Sequence, residues 1–141
     1  MQKKTIDTLI EQNCSLVVEK DGELHLFFKR GVYDLEELLK HNPALLRGSS
    51  IADKVIGKAA AAIIAVGGVK ELYTHVLSSR AEAFLKQANI SYTYGTLVDQ
   101  IIMTKGDTRC PLETIVDEAE SAEEAVEMLF RHFEDMKQLK Q

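Results

Sequence analysis

Tryptophan is absent from the 141 residues, and aromatic side chains make up only 6% of them. A platform for stacking nucleic-acid bases is therefore poorly supplied. Basic residues are outnumbered, with Lys+Arg at 17 against Asp+Glu at 22, for a net charge of -5. That balance argues against a nucleic-acid partner and against an anionic membrane surface. No apolar run reaches the roughly 18 residues of a membrane-spanning helix. The opening MQKKTIDTLI has neither the long apolar core nor the small-residue cleavage site of a secretory signal. The two cysteines, Cys14 and Cys110, lie far apart and cannot build a disulfide framework. A reducing, cytoplasmic setting is the expectation. The four histidines, His25, His41, His75 and His132, have no His or Cys at ligand spacing, and neither C-x-x-C nor H-E-x-x-H occurs. No metal and no cofactor are expected.

Without repeats or a low-complexity linker, residues 1–141 read as one domain. Lys3 to Gln12 places Ile6, Leu9 and Ile10 on one helical face. Leu16 to Glu19 and Leu24 to Phe28 read as strands joined by Asp21-Gly22, a strong hairpin signal because both turn positions need positive φ. A short helix follows from Asp34, with Glu37 at capping-box spacing and Asn42-Pro43 as its stop. Ile51 to Val66, IADKVIGKAAAAIIAV, reads as a helix capped by Ser49 or Ser50 and stopped by Gly67-Gly68. Its second half is apolar on every side, which predicts a central buried helix. Glu71 to Leu77 reads as a strand. Ser79 to Glu82 is a second capping box, opening a helix through Ala88. Ile90 to Tyr94 is a strand, Gln100 to Met103 a weak one, and Gly106-Asp107 a turn. Pro111 suits the first position of a short helix, and Ser121 to Glu124 caps a last helix with a broad apolar stripe. The order predicts a mixed sheet covered by helices.

Two places could carry chemistry, and a third only looks as if it could. Gly57 inside a helix costs about 1 kcal/mol against Ala, which a close backbone or ligand approach would offset. Asp53 and Lys58 flank it. The plainer reading is tight packing at Gly57 with a dipole-favourable Asp53 and a solvated lysine. Cys110 precedes Pro111 and follows Arg109. A helix N-terminus and a neighbouring cation both favour the thiolate, although Glu113 one turn on opposes this, and a lone cysteine is more often a small buried hydrophobe. Gly67-Gly68 follows a helix, so it is a stop and not a phosphate cradle.

Ala52-Asp53-Lys54-Val55-Ile56-Gly57-Lys58-Ala59-Ala60, then Gly67-Gly68-Val69-Lys70-Glu71-Leu72-Tyr73, Tyr94-Gly95 and Cys110-Pro111-Leu112-Glu113 together resemble the bacterial family called domain of unknown function 1893, over nearly the whole chain. The resemblance implies a cytidine-deaminase-like α/β fold, a three-layer sandwich whose central mixed sheet is flanked by helices. It does not carry deaminase chemistry. Zinc deaminases need H-x-E at the start of the first buried helix and P-C-x-x-C at the start of the next. Neither Ile51-Ala52-Asp53-Lys54-Val55 nor Leu77-Ser78-Ser79-Arg80-Ala81 supplies a His or Cys.

In such a fold the site lies where the two helices begin. The ligand-binding candidates are thus Asp53, Lys58, Ser78, Arg80 and Glu113, around a small polar or anionic metabolite. The alternative is an enzyme with Cys110 as its reactive thiol, assisted by Asp53, Lys58 or Glu113. The third reading is a structural module that forms a homo-oligomer through a sheet edge or the last helix.

Overall fold

The computed structural model describes residues 3–29, 32–101 and 111–139. Helix α1 (Lys3–Glu11) leads into the hairpin β1 (Leu16–Lys20) and β2 (Glu23–Phe27). The turn is the expected one: Asp21 and Gly22 have φ of 51° and 84°, and Lys20 pairs with Glu23 across it. Helices α2 (Tyr33–His41) and α3 (Pro43–Leu46) follow. Next come β3 (Ser50–Ile56), α4 (Lys58–Gly67), β4 (Glu71–Ser78), a 3-10 turn (Ser79–Ala81), α5 (Glu82–Gln87) and β5 (Ser91–Val98). The described chain closes with α6 (Pro111–Ile115) and α7 (Ala122–Leu139). Among the described residues no helix is long and apolar enough to cross a membrane.

The sheet order is β2-β1-β3-β4-β5. β1 runs antiparallel to both β2 and β3, whereas β3, β4 and β5 are parallel. The result is a mixed five-stranded α/β sandwich. One face carries the main core, where the apolar sides of α4, α5 and α7 meet Leu16, Val18, Ile51 and Leu72 of the sheet. The other carries a smaller cluster in which Leu9 of α1 and Cys14 cover Val17 and Ala52.

The largest departure from the sequence reading is at residues 51–66. They are not one helix. Ser50–Ile56 is the central strand and Lys58–Gly67 the helix, with Gly57 as the cap residue between them. A parallel strand buried on both faces has no polar alternation to mark it, so periodicity cannot separate it from a buried helix. The β-branched Ile51, Val55 and Ile56 belong to the strand, and the alanine run belongs to the helix. Ser49 and Ser50 do not cap: Ser49 Oγ donates to the Leu46 carbonyl at 2.7 Å and Ser50 Oγ to Glu71 Oε1 at 2.7 Å. The helix stop is as expected, with Gly68 left-handed at φ 76°.

Smaller corrections follow the same logic. Asp34 is not the cap of α2; that residue is Val32, and the Asp34 carboxylate accepts from the Lys29 backbone N–H at 3.0 Å. Ser78, not Ser79, accepts from the Arg80 N–H at the next turn. β5 runs on through Thr96 to Val98, parallel to β4, while Gln100 and Ile101 are outside any strand. Met103, Gly106-Asp107 and Cys110 lie outside the described residues. Ser121 Oγ accepts from the Glu124 N–H at 3.1 Å, as its capping box predicts.

The three parallel strands share an irregular row. Ile51 and Ile56 both reach the main core, although residues five apart on a regular strand face opposite ways. Leu72 and Leu77 do the same on β4. The ladder pairs Asp53 with Thr74 and Val55 with Val76, stepping over Lys54 and His75, and on β5 it steps over Gly95. One extra residue per strand moves the following side chains to the other face, as in a bulge. Two side chains take up backbone groups at this row: Asp53 Oδ1 accepts from the Val55 N–H at 3.3 Å, and Thr74 Oγ1 donates to the Val76 carbonyl at 3.0 Å. Gly95 is required there, because a Cβ would stand 2.9 Å from the His75 carbonyl oxygen.

Candidate functional site: a carboxylate-lined cavity at the end of the central strand

A cavity of about 290 Å³ opens where β3 ends, at the border between the antiparallel and parallel halves of the sheet. Ligand sites of open α/β sheets lie outside the carboxyl ends of their strands, at a change in strand order. Val32, Val55, Ile101 and Leu112 supply apolar wall, and Ser15, Asp53 and Glu113 supply polar groups.

Asp53 is only 7% exposed. Burial is the main force on it and pushes its pKa up to about 7. The backbone N–H groups of Val55 and Lys54 counter this in part, and the negative charge of Asp34 adds to it. Asp34 is itself buried, and its own carboxyl is raised chiefly by desolvation. Ser15 borders the cavity and Asp34 acts on Asp53 from α2, and neither role leaves a local signal in the sequence.

Glu113 is 3% exposed and reaches from α6 to the first turn of α4. Its Oε1 accepts from the Lys58 N–H at 2.7 Å and its Oε2 from the Ala59 N–H at 2.8 Å. Gly57 makes this approach feasible. Two of the orphan donors that begin every helix are thus satisfied by a side chain 55 residues away in sequence, and the carboxylate also complements the helix dipole.

Lys58 and Arg80 serve the same clasp and not the cavity. Lys58 Nζ donates to the carbonyls of Asp117 and Ala119 at 3.0 and 2.9 Å, and lies over the Phe84 ring at 5.4 Å. Arg80 Nη1 pairs with Asp117 Oδ1 at 3.0 Å. Ser78 Oγ donates to the Asp99 carbonyl at 3.2 Å. Lys54, at the cavity margin, directs its ammonium to Asn13 Oδ1 at 2.6 Å. The five described candidates therefore gather at one end of the sheet, but only Asp53 and Glu113 line the cavity. Moving the helix start from Ile51 to Lys58 also moves the place where a deaminase would carry H-x-E. Lys58-Ala59-Ala60 offers no zinc ligand there, and among the described residues no cluster of three or more His, Cys, Asp or Glu could hold a metal ion.

Fold and cavity together define a mixed three-layer α/β domain with a strand-end pocket. The family model for the domain of unknown function DUF1893, also labelled TM1506, matches residues 4–133, and the chain belongs to that family. The crystal structure of a DUF1893 family protein (TM1506) from Thermotoga maritima superposes with a TM-score of 0.82 at 22% identity, over 94% of this chain and 92% of that one. At that identity the likeness extends to the fold. Acinetobacter baumannii RibD, form 2, matches over 66% of this chain and 33% of its own, at 14% identity and a TM-score of 0.44. None of the curated proteins matches.

Proposed function

We propose that this domain binds a small polar molecule in the cavity at the end of β3, and that the molecule presents a cationic or donor-rich group to Asp53. The observation that carries this reading is Asp53 itself: a carboxylate that is almost wholly buried, borders the cavity and has no cation paired with it among the described residues. A buried carboxylate of that kind gains most from a ligand that donates to it. An anionic ligand, one of the expectations drawn from Lys58 and Arg80, fits poorly. Glu113 occupies the first α4 donors, Lys58 and Arg80 are engaged by the 117–119 segment, and an anion would meet carboxylates.

Benzylamine and benzoate, matched in shape and opposite in charge, test this directly. Benzylamine should raise the melting temperature in a saturable way, and Asp53→Asn should abolish the effect. Stabilisation by benzoate, or an unchanged benzylamine response in Asp53→Asn, overturns the reading.

A second reading keeps Cys110 as a nucleophile or redox thiol. It rests on the Arg109-Cys110-Pro111 sequence, which lies largely outside the described residues, and the alkylation profile argued below tests it.

A further inference from the structure

We infer that the outer edge of β5 pairs with the β5 of a second copy of this chain, antiparallel across a two-fold axis, joining two sheets into one.

Among the described residues no strand pairs with the far side of β5, which is the last strand in the sheet order. The strand is eight residues long, and all but Tyr92 and Val98 are exposed. A parallel strand is ordinarily covered on both faces. Here α5 reaches only one of them, and even on that face Tyr94, beside Tyr92, and Leu97, in register with Leu77, remain 42% and 43% exposed. Soluble proteins protect an edge of this length with charged side chains, proline or a very short strand. SYTYGTLV carries none of these. It is a run of β-formers whose outer row of backbone donors and acceptors meets no other strand among the described residues.

Charge selects the occupant. The chain carries a net charge of -5, so most pairs of like surfaces repel. β5 has no ionisable group apart from the phenols of Tyr92 and Tyr94, and it can therefore lie against itself without placing like charges opposite one another. A two-fold axis makes any strand complementary to its own copy, since each presents the same donors and acceptors in reverse order. A partner of defined charge would find nothing on this strand to read.

The full-length chain tests the inference by analytical ultracentrifugation combined with hydrogen exchange. The expected mass is twice the 15.8 kDa chain, and those amides of residues 92–97 that do not bond β4 should become protected as the concentration rises. The double variant Thr93→Lys/Leu97→Lys should dimerise at least about tenfold more weakly, the factor set by 1.4 kcal/mol of repulsion, with far-UV circular dichroism unchanged. A monomer at near-millimolar concentration overturns the inference. So does a dimer in which exchange at 92–97 does not depend on concentration. Should the lysine variant misfold, the exchange measurement on the unaltered chain decides alone.

Discussion

The Glu113 carboxylate fills the space that a side chain at residue 57 would need: a Cβ built on Gly57 stands 2.6 Å from Glu113 Cδ and closer still to Oε1. Gly57 is extended, at φ -105° and ψ -170°, so its requirement is steric and not conformational. The glycine lets a carboxylate from α6 cap α4, and the cap ties the 113–119 segment to the end of the sheet.

This relationship predicts non-additivity. Gly57→Ala must displace the carboxylate, and Glu113→Ala removes it. Each should destabilise the protein by about 1–2 kcal/mol, the range for losing a helix cap. The double variant should then lose clearly less than the two together, because the clash and the cap are one interaction. Urea unfolding of the four proteins measures the coupling, and strict additivity would show that the two residues act independently.

Asp53 makes stability depend on pH in an unusual direction. Its carboxyl is raised from an ordinary 3.8 to about 7 by burial, so between those values the native state holds a proton that the unfolded chain has released. Stability therefore falls as pH rises from about 4 to about 7, and is flat above. A rise of that size corresponds to roughly 4 kcal/mol at 1.36 kcal/mol per pH unit. Asn can still accept from the Val55 N–H. Asp53→Asn should thus be more stable than the parent at pH 8, nearly equal to it at pH 4, and much less dependent on pH between them. Melting temperatures across that range check this; a variant less stable than the parent at pH 8 would mean that the carboxylate is charged and satisfied.

Sequence alone brought out parts of this arrangement for reasons that did not always hold. The Asp21-Gly22 turn, the left-handed Gly68 and the Ser121 cap are local, so their residue types suffice to identify them. Gly57 stood out as an anomaly within a supposed helix; its glycine is indeed demanded by a close approach, but from a carboxylate and at a strand-to-helix junction. Glu113 was singled out without any sign of its partner, since a contact across 55 residues leaves no trace in spacing. β3 is hidden because burial on both faces erases its period, and Asp53 on that strand then reads as part of the same helix as Gly57.

Lys58 and Arg80 separate by consequence. The Lys58 ammonium bonds two carbonyls, one of them part-buried, and lies near an aromatic face. Lys58→Met should cost about 1–3 kcal/mol, as for hydrogen bonds made by a charged group. Arg80 and Asp117 are each about a third exposed, and Arg80→Ala should cost under about 1 kcal/mol, with the loss fading in high salt. Denaturant titrations at low and high salt distinguish them. A larger loss at Arg80 than at Lys58 would contradict the clasp as described.

The two thiols can be resolved by chemistry. Cys14 is fully buried between α1 and β1, and desolvation is the main cause that pushes its thiol up. A thiol that is both inaccessible and protonated reacts slowly with an alkylating agent. Iodoacetamide should therefore leave Cys14 unmodified in the folded protein and reach it only in urea, as peptide mass mapping would show. Labelling of the folded chain then reports Cys110 alone. A rate profile with its midpoint well below the unperturbed value of about 8.5 would mean that Arg109 and the start of α6 favour the thiolate. A midpoint near that value would leave no reason to assign Cys110 a chemical role, and the cavity beside Asp53 would stand as the one candidate site. Modification of Cys14 in the folded protein at a rate comparable to the unfolded chain would instead show that α1 opens away from the sheet, contrary to its packing against β1 and β3.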